Sequence, residues 1–377
     1  MSNIRKLGTA FAAGASAAMT RSAHADDRYL PKDPKNIRVG WVGTGPFSFY
    51  GHYIAVMHGT GGDYNPMNMR VSHIWGDDYS KNYKGSDEWV KKMLDFWANE
   101  KQSPEGIAKR EGIPNVCNDF REMVDDVDAA MIMDFDRADV LSEPFLRQGK
   151  PVFLCSPVAV NVPTCEKILS LAKENNAAVF SGSFTAGMYD NQAAAGRVRK
   201  NRIRSYFAST WHHFFTSYAN DGLEPVHWIM GGGVRKVQLV GWNGSGGYDP
   251  DGIPLSRIHL EYEPREDAPP IQGALTLGGF KKEGMWFRVA YQDNTVFESF
   301  TNSGGRAGSF RDFLLQIQET FAINKSLETH EDIIEKLKVV IAAYKSANEG
   351  NRPVSLDEVG DYRMPTVRIE HWDRIPD

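Results

Sequence analysis

The chain has 377 residues, enough for two domains with their own hydrophobic cores. Its net charge of -5 argues against a nucleic-acid-binding protein, and its charged fraction of 24% is ordinary for a globular one. The three cysteines, Cys117, Cys155 and Cys165, exclude a full disulfide framework, and their spacing is not that of a zinc site.

The first 25 residues have the three parts of an export signal. Arg5-Lys6 is a short basic region, residues 7–19 are small and apolar, and Ala23-His24-Ala25 is a small-x-small cleavage site. The apolar part is too short for a membrane-spanning helix, which needs about 20 residues. We therefore expect cleavage near Ala25 and a periplasmic or secreted protein without a stable membrane span, exported by the general secretory or the twin-arginine route. A polar arm follows over residues 26–35.

The next segment predicts a dinucleotide-binding turn. A strand over residues 37–42 leads into Gly43-Thr44-Gly45 and then into a helix that begins at Pro46. Gly43 permits a tight turn, Gly45 lets the backbone approach a pyrophosphate, and the free N–H groups of the helix point at that anion. Phe47 and Ser48 complete the predicted cofactor-binding segment, with Ser48 in the place of the third glycine of the fingerprint.

Strand–helix units continue to residue 186 and predict a parallel-sheet domain, the Rossmann fold, over residues 36–186. The predicted strands after the first are 70–75, 127–133, 152–154 and 177–180, and the predicted helices are 86–99, 138–148 and 163–175.

Acidic residues follow two of these strands. Asp77 and Asp78 can bond a ribose 2′-hydroxyl, which favours NAD while leaving NADP open, although they lie more than the usual ~20 residues beyond the glycines. Asp134, Phe135 and Asp136 come at the carboxyl edge of the sheet, where ligands bind. The alternative for Asp77 and Asp78 is a pair of solvated loop acids.

From residue 187 the pattern changes to consecutive strands separated by Gly, Asn and Pro turns. It predicts an α+β domain over residues 187–377 with an open, mainly antiparallel sheet. The predicted elements are a helix at 192–200, strands at 203–211, 234–241, 255–262, 274–277 and 286–291, and closing helices at 310–323 and 328–348.

Four segments in this order resemble the glucose–fructose oxidoreductase, inositol dehydrogenase and MocA-type family. They are the Ile-Arg-Val-Gly-x-x-Gly-x-Gly start at 37–45, Val-Asp-Ala-Ala-x-Ile-Met at 127–133, Gly-Lys-Pro-Val at 149–152, and the ending from Ile341 to Gly350 with Pro-Val-Ser-Leu at 353–356. The resemblance implies NAD or NADP, a carbohydrate or polyol-like substrate and a homo-oligomer formed through the open sheet.

The resemblance also implies a catalytic Glu-Lys-Pro motif, and here the chain departs from it. Cys155, Ser156 and Pro157 occupy those positions, beside the cofactor. Ser156 keeps a hydrogen-bonding group but lacks the titratable amine, and general acid–base catalysis contributes about 10² to 10⁴-fold. Either another residue does this work or the protein is not an ordinary dehydrogenase. The alternative for Cys155 is a structural role as a small buried apolar residue.

The second functional segment of the family falls on residues 218–231. One alignment puts Asp221 on the family's histidine position and Glu224 on its aspartate, and the other puts Glu224 on the histidine. Glu224 and His227 are three residues apart, so on a helix they share a face and could form a base with an orienting partner. The alternative is a helix-start carboxylate and a packed histidine.

Two tyrosines and two further histidines complete the predicted site. His212 and His213 alternate along a strand, so at most one of them faces the cleft. We assign His213 to catalysis, and Tyr189, His212 and Tyr218 to the substrate. Asp221, Glu224, His227 and one of these histidines could hold a divalent ion, but loose groupings rarely meet ligand geometry, and no metal is expected.

Two functions remain open at this point. The first is an exported NAD(P)-binding enzyme that transfers hydride to or from a sugar carbon, with Glu224 or His227 moving the hydroxyl proton. In a variant of it, NAD is recycled internally during glycoside cleavage or epimerisation. The second is a non-redox protein on the same fold, either a metal-dependent lyase or isomerase or a sugar-binding pseudoenzyme.

Overall fold

The structure is a computed structural model. It describes residues 29–43, 50–60, 65–76, 103–134, 136–187, 189–210, 219–240, 256–265, 269–277, 284–302 and 306–364. The predicted export signal and the predicted helix at 86–99 lie outside these ranges. Within them, every helix is too short or too polar to cross a bilayer.

The first sheet has six parallel strands in the order β3-β2-β1-β4-β5-β6. Its strands are β1 (Ile37–Val42), β2 (Met69–Trp75), β3 (Asn115–Val116), β4 (Ala129–Ile132), β5 (Val152–Cys155) and β6 (Val179–Gly182). The strand order reverses between β1 and β4, and in open α/β sheets ligands bind outside the carboxyl ends of the strands at such a point. The predicted Rossmann topology is confirmed.

Helices connect these strands and lead from the last of them into the second sheet. They are α1 (Tyr50–His58), α2 (Pro104–Glu111), α3 (Ala138–Arg147), α4 (Val162–Glu174), α5 (Phe184–Gly187) and α6 (Tyr189–Arg197). Ser103 and Asn161 cap α2 and α4 by accepting hydrogen bonds from the N–H groups of Gly106 and Thr164.

β6 begins two residues later than the sequence predicts. The N–H of Ala177 closes α4 by donating to Ala172 O at 2.9 Å, and the N–H of Ala178 donates to Asn324 Oδ1 at 2.7 Å. The N–H groups of both residues are therefore bound outside the sheet. Ala178 O still accepts a hydrogen bond from the N–H of Val152 in β5 at 2.9 Å, and residue pairing with β5 starts at Val179.

The second sheet has seven strands in the order β12-β11-β7-β10-β9-β8-β13, and all pairs are antiparallel except β7 with β10. Its strands are β7 (Ile203–Thr210), β8 (Val234–Val240), β9 (Ser256–Tyr262), β10 (Gln272–Leu277), β11 (Gly284–Tyr291), β12 (Val296–Asn302) and β13 (Val354–Ser355). The predicted open, mainly antiparallel sheet is confirmed, but the sequence analysis missed β12 and the short strands β3 and β13.

Three helices cover the inner faces of the two sheets. They are α7 (Ala219–Met230), α8 (Arg306–Ile323) and α9 (His330–Asn348). Phe313 of α8 packs against Phe153 and Phe180 of the first sheet, with ring centroids 5.6 and 6.0 Å away. In α9, Ser346 accepts a hydrogen bond from the N–H of Leu239 in β8 at 3.0 Å. All three helices reach the carboxyl end of β6: Glu224 of α7 accepts a hydrogen bond from the N–H of Ser183, Phe313 of α8 lies next to Gly182, and Lys336 of α9 donates to Ser181 O at 2.9 Å.

Candidate functional site

The turn after β1 has the geometry that the glycine pattern predicts. Gly43 has φ 99°, a left-handed conformation that favours glycine. A Cβ at this position would lie 3.1 Å from Asp134 Cβ, so the turn also needs the space that glycine leaves. The N–H of Gly43 donates to Trp75 O at 2.9 Å, and the indole of Trp41 donates to Gly43 O at 3.1 Å. The other predicted members of this segment, Gly45, Pro46, Phe47 and Ser48, lie outside the described residues.

Asp134 and Asp136 follow β4 at the neighbouring position on this edge. Asp134 is 6% exposed, and its carboxylate accepts hydrogen bonds from the N–H of Asp136 at 3.2 Å and from Arg137 Nη2 at 3.0 Å. The carboxylate thus holds the start of α3 in place, and Asp134 lies directly beside the turn at Gly43. Phe135, Asp77 and Asp78 lie outside the described residues, and their predicted roles stay predictions.

Ser156 is where the two domains meet. It follows β5, between the half-buried Cys155 and the buried Pro157, and the Ser156–Pro157 peptide bond is cis. Ser156 Oγ donates to Glu224 Oε1 of α7 at 2.7 Å. The residue at the lysine position of the resembled family is therefore hydrogen-bonded to a carboxylate of the second domain.

Glu224 is 1% exposed, and all of its described partners lie inside the protein. Besides Ser156, the N–H of Ser183 donates to its Oε2, and Lys336 Nζ lies 3.9 Å from its Oε1. Burial raises the pKa of Glu224, against the opposing effects of Lys336, Ser156 and the Ser183 N–H. A carboxyl group with a raised pKa accepts a proton more readily near neutral pH.

Lys336 is the member of this group that the sequence analysis missed. It lies on α9, where it donates to Glu328 Oε1 at 2.6 Å and to Ser181 O at 2.9 Å. Although burial alone would lower the pKa of Lys336, the carboxylates of Glu328 and Glu224 raise it. Its position in the sequence could have indicated that it is buried. Lys336 lies on the apolar stripe of its helix, with the buried residues Ile333, Leu337 and Val340 around it.

His227 does not pair with Glu224 as the sequence analysis proposed. Its Nε2 lies 3.5 Å from Asp332 Oδ1, because the imidazole faces α9 one turn further along α7 than Glu224. Burial lowers the pKa of His227, and the charge of Lys336 lowers it further. His227 also lines a small cavity of about 20 Å³ with Leu223, Tyr262 and Lys336.

The remaining predicted site residues are only partly described. Asp221 and Tyr189 lie in α7 and α6, and their side chains are outside the description. His212, His213 and Tyr218 lie outside the described residues altogether. Among the described ranges, no group of three or more His, Cys, Asp or Glu side chains could hold a metal ion.

The arrangement fits a proton-transfer site better than a metal site. A half-buried hydroxyl at the sheet edge is bonded to a fully buried carboxylate, and an ammonium group lies behind that carboxylate.

Comparison with known proteins gives matches to solved structures alone. No protein-family model matches the chain, and no curated protein matches it by sequence. The myo-inositol dehydrogenase of Lactobacillus casei, solved with NAD(H) and myo-inositol, is similar with a TM-score of 0.64 at 11% identity, over 88% of this chain and 99% of its own.

Two further structures match to a similar degree. The scyllo-inositol dehydrogenase of Lactobacillus casei, with bound NAD(H) and scyllo-inositol, has a TM-score of 0.62 at 16% identity, over 86% of this chain and 100% of its own. GenD2 from gentamicin A biosynthesis, solved with NAD, has a TM-score of 0.61 at 14% identity, over 89% of this chain and 99% of its own. The chain therefore has the fold of these dehydrogenases, a Rossmann domain followed by an open-sheet domain.

Proposed function

We propose that the protein is an NAD-dependent oxidoreductase of the glucose–fructose oxidoreductase, inositol dehydrogenase and MocA-type family, acting on a CH–OH group of a carbohydrate or polyol. The observation that carries the proposal is the hydrogen bond of 2.7 Å between Ser156 and Glu224, which puts a proton acceptor at the position of the missing lysine. The structural neighbours support it, since two of them were solved with NAD(H) and an inositol.

The turn at Gly43 supports a dinucleotide at this edge. The absence of a Cβ leaves the space beside Asp134 open, and Gly45, Pro46, Phe47 and Ser48 would hold the pyrophosphate. Asp77 or Asp78 would bond the ribose, which selects NAD over NADP. When bound, the nicotinamide supplies the hydride acceptor.

Ser156 and Glu224 would together replace the lysine. Ser156 Oγ accepts the proton of the substrate hydroxyl and passes its own proton to Glu224 Oε1. Burial favours the step, because it raises the pKa of Glu224 and so makes its carboxylate a better proton acceptor. His227 then has a positioning role through Asp332, and Tyr189, His212, His213 and Tyr218 remain candidates for contacts with the substrate.

Three finer features belong to the same proposal. The protein works outside the cytosol after cleavage near Ala25. It forms a homo-oligomer through the outer face of the second sheet, where Phe300 and Val296 are 54% and 48% exposed. Its NAD either dissociates after each turnover or is retained and recycled in glycoside cleavage or epimerisation. The loss of the lysine favours the second alternative.

The test begins with the cofactor. The mature protein is purified and denatured, and any released nucleotide is identified by mass spectrometry, while the stripped protein is titrated with NAD and NADP. We expect binding of NAD, followed by NADH formation with myo-inositol, scyllo-inositol or another polyol. Turnover of a glycoside without added NAD, with NAD(H) retained on the protein, identifies the recycling variant. If the protein neither carries nor binds either nucleotide, the proposal is wrong.

A further inference from the structure

Glu224, Lys336 and Glu328 form a buried charged triad. Their side chains are 2%, 8% and 5% exposed, and they come from three different segments of the second domain. Lys336 Nζ lies 2.6 Å from Glu328 Oε1 and 3.9 Å from Glu224 Oε1. Two carboxylates therefore share one ammonium group inside the protein.

The charges of this triad do not balance when both carboxylates are ionised. An uncompensated buried charge costs several kcal/mol, so such a group retains a proton instead. Burial raises the pKa values of both Glu224 and Glu328, against the opposing effect of Lys336. The triad can thus hold one exchangeable proton next to Ser156.

The far end of the triad reaches a second opening of the molecule. Glu328 lines an open groove of about 330 Å³, together with Lys325 and His330. Ala178 and Val179, at the amino end of β6, form another part of its wall. Ser183, whose N–H bonds Glu224, lies beyond the carboxyl end of the same strand. The groove and the cofactor edge are therefore at opposite ends of β6.

One atom of Glu328 is consistent with a proton-carrying role. Its Oε2 is buried and has no hydrogen-bond partner among the described residues. A buried polar atom of this kind needs an explanation, because most buried polar atoms are satisfied. A carboxyl group that gains and loses a proton at this oxygen provides one.

We propose that Glu224, Lys336 and Glu328 form a relay that carries the proton of the reaction from Ser156 along β6 to the groove. The inference rests on the proposed function. That function requires a route for the proton, because Glu224 is 1% exposed and must lose its proton before it can accept another.

The relay balances in protons. The substrate O–H bond breaks, Ser156 Oγ gains that proton, and the hydroxyl proton of Ser156 moves to Glu224 Oε1. At rest Glu328 holds the extra proton and Glu224 is ionised. Glu328 releases its proton to water in the groove, and Lys336 then gives one proton to Glu328 and takes the proton of Glu224, which restores the resting state. The flexible stem of Lys336 must shift by about 1 Å to bring its ammonium group within hydrogen-bond distance of Glu224. The hydride and its two electrons go to NAD, so no other oxidant is needed.

The first test needs no turnover. Infrared spectra of the full chain in H₂O and D₂O report the stretch of a protonated carboxyl group. We expect this band in the wild type and in the control Glu331→Gln, which changes an exposed residue of α9. Glu328→Gln should remove it, because the remaining pair of Lys336 and Glu224 is neutral without an extra proton. A band that is absent from the wild type, or unchanged in Glu328→Gln, overturns the relay.

The second test separates hydride transfer from proton release. Stopped-flow mixing of enzyme and NAD with myo-inositol follows NADH absorbance and a pH indicator together. In Glu328→Gln we expect NADH at the wild-type rate in the first turnover, with proton release slower by about 10²-fold, the low end for losing a positioned proton-transfer group. Release at the wild-type rate overturns the relay. If the wild type forms no NADH with any polyol, the proposed function fails, and the infrared result still decides whether the triad holds a proton.

Discussion

Ser156 and Glu224 join the two domains through one hydrogen bond of 2.7 Å between the end of β5 and the second turn of α7. The lysine expected at position 156 would carry its own titratable group. Here the hydroxyl and the proton acceptor come from different domains, so their separation depends on how the domains pack. Any movement of α7 against the first sheet therefore changes the distance between Ser156 Oγ and its proton acceptor, Glu224.

Ser156→Ala should lower kcat with NAD and a polyol substrate by about 10² to 10⁴-fold, because it removes the link between substrate and Glu224. The affinity for NAD, measured by calorimetry, should stay close to that of the wild type. Ser205→Ala, a half-buried serine of the second sheet, serves as the control and should leave both quantities unchanged. Full turnover in Ser156→Ala would show that another group receives the proton.

Lys336→Met should destabilise the protein by about 3–5 kcal/mol, since it leaves two buried carboxylates without their cation. Urea denaturation measures the free energy of unfolding, and Lys325→Met, at an exposed position, is the control. The double variant Lys336→Met with Glu328→Gln should recover at least about 1 kcal/mol, because the two sites are in direct contact. A double variant that is less stable than Lys336→Met would argue against charge imbalance as the cause.

Gly43→Ala tests the turn at the cofactor edge. The new methyl group would lie 3.1 Å from Asp134 Cβ in a backbone with φ 99°. We expect NAD affinity to fall by about tenfold or more, equivalent to about 1.4 kcal/mol, and stability to fall by about 1–3 kcal/mol. Titration of the stripped protein with NAD gives the first quantity.

Gly112→Ala is the matched control for this change. Gly112 also has a positive φ, 68°, but no heavy atom lies within 4 Å of the position where its Cβ would be. It should show the backbone strain without a loss of NAD affinity. Equal losses of affinity in the two variants would mean that the turn at Gly43 does not hold the cofactor.

The sequence predicted the parts of the fold that repeat a simple local pattern. Buried runs such as residues 129–132 and the glycine turn after β1 specify parallel strands, and both are present. β12 was missed because its apolar residues lie on both faces: Phe297 packs against the core, whereas Phe300 is exposed, so no alternation marks it.

The site was harder to predict, because its central contacts join distant parts of the chain. The sequence singled out Ser156 and Glu224 separately, but their hydrogen bond depends on domain packing. Helical spacing predicted a pair of Glu224 and His227, whereas in the folded chain the His227 imidazole contacts Asp332. Lys336 could be found only as a lysine on an apolar stripe, and nothing local indicates which carboxylates it meets.

Phe300→Asp tests the proposed oligomer. The change puts a charge on the outer face of the second sheet, where Phe300 is 54% exposed, so a partner surface that buries this position would be disrupted. Light scattering with size-exclusion chromatography should give a smaller particle than the wild type at the same concentration. Asp293→Asn, at an exposed position in the β11–β12 turn, is the control. A wild-type chain that elutes as a monomer would remove the proposal.

His227→Gln should flatten the acid side of the stability profile. The pKa of His227 in the folded state is lowered from 6.5, first by burial and then by Lys336, while Glu335 and Asp332 oppose the shift. The unfolded state therefore binds the proton more readily, so His227 contributes stability above pH 6.5 that is lost as the pH falls through the folded-state pKa. Glu224 and Glu328, whose pKa values are raised, have the opposite sign: their contribution is present at low pH and is lost as the pH rises.

Both variant and wild type keep these two carboxyl groups, so the difference between their profiles isolates the histidine. Urea midpoints measured from about pH 7.5 down to about pH 5 should fall less steeply in His227→Gln than in the wild type. His259→Gln is the control: the pKa of that imidazole is also lowered, first by burial and then by Arg257, but it lies at an exposed position of β9, so its effect on the slope should be smaller than that of His227→Gln. If the His227→Gln profile runs parallel to the wild type, then His227 is not held neutral by its burial between α7 and α9.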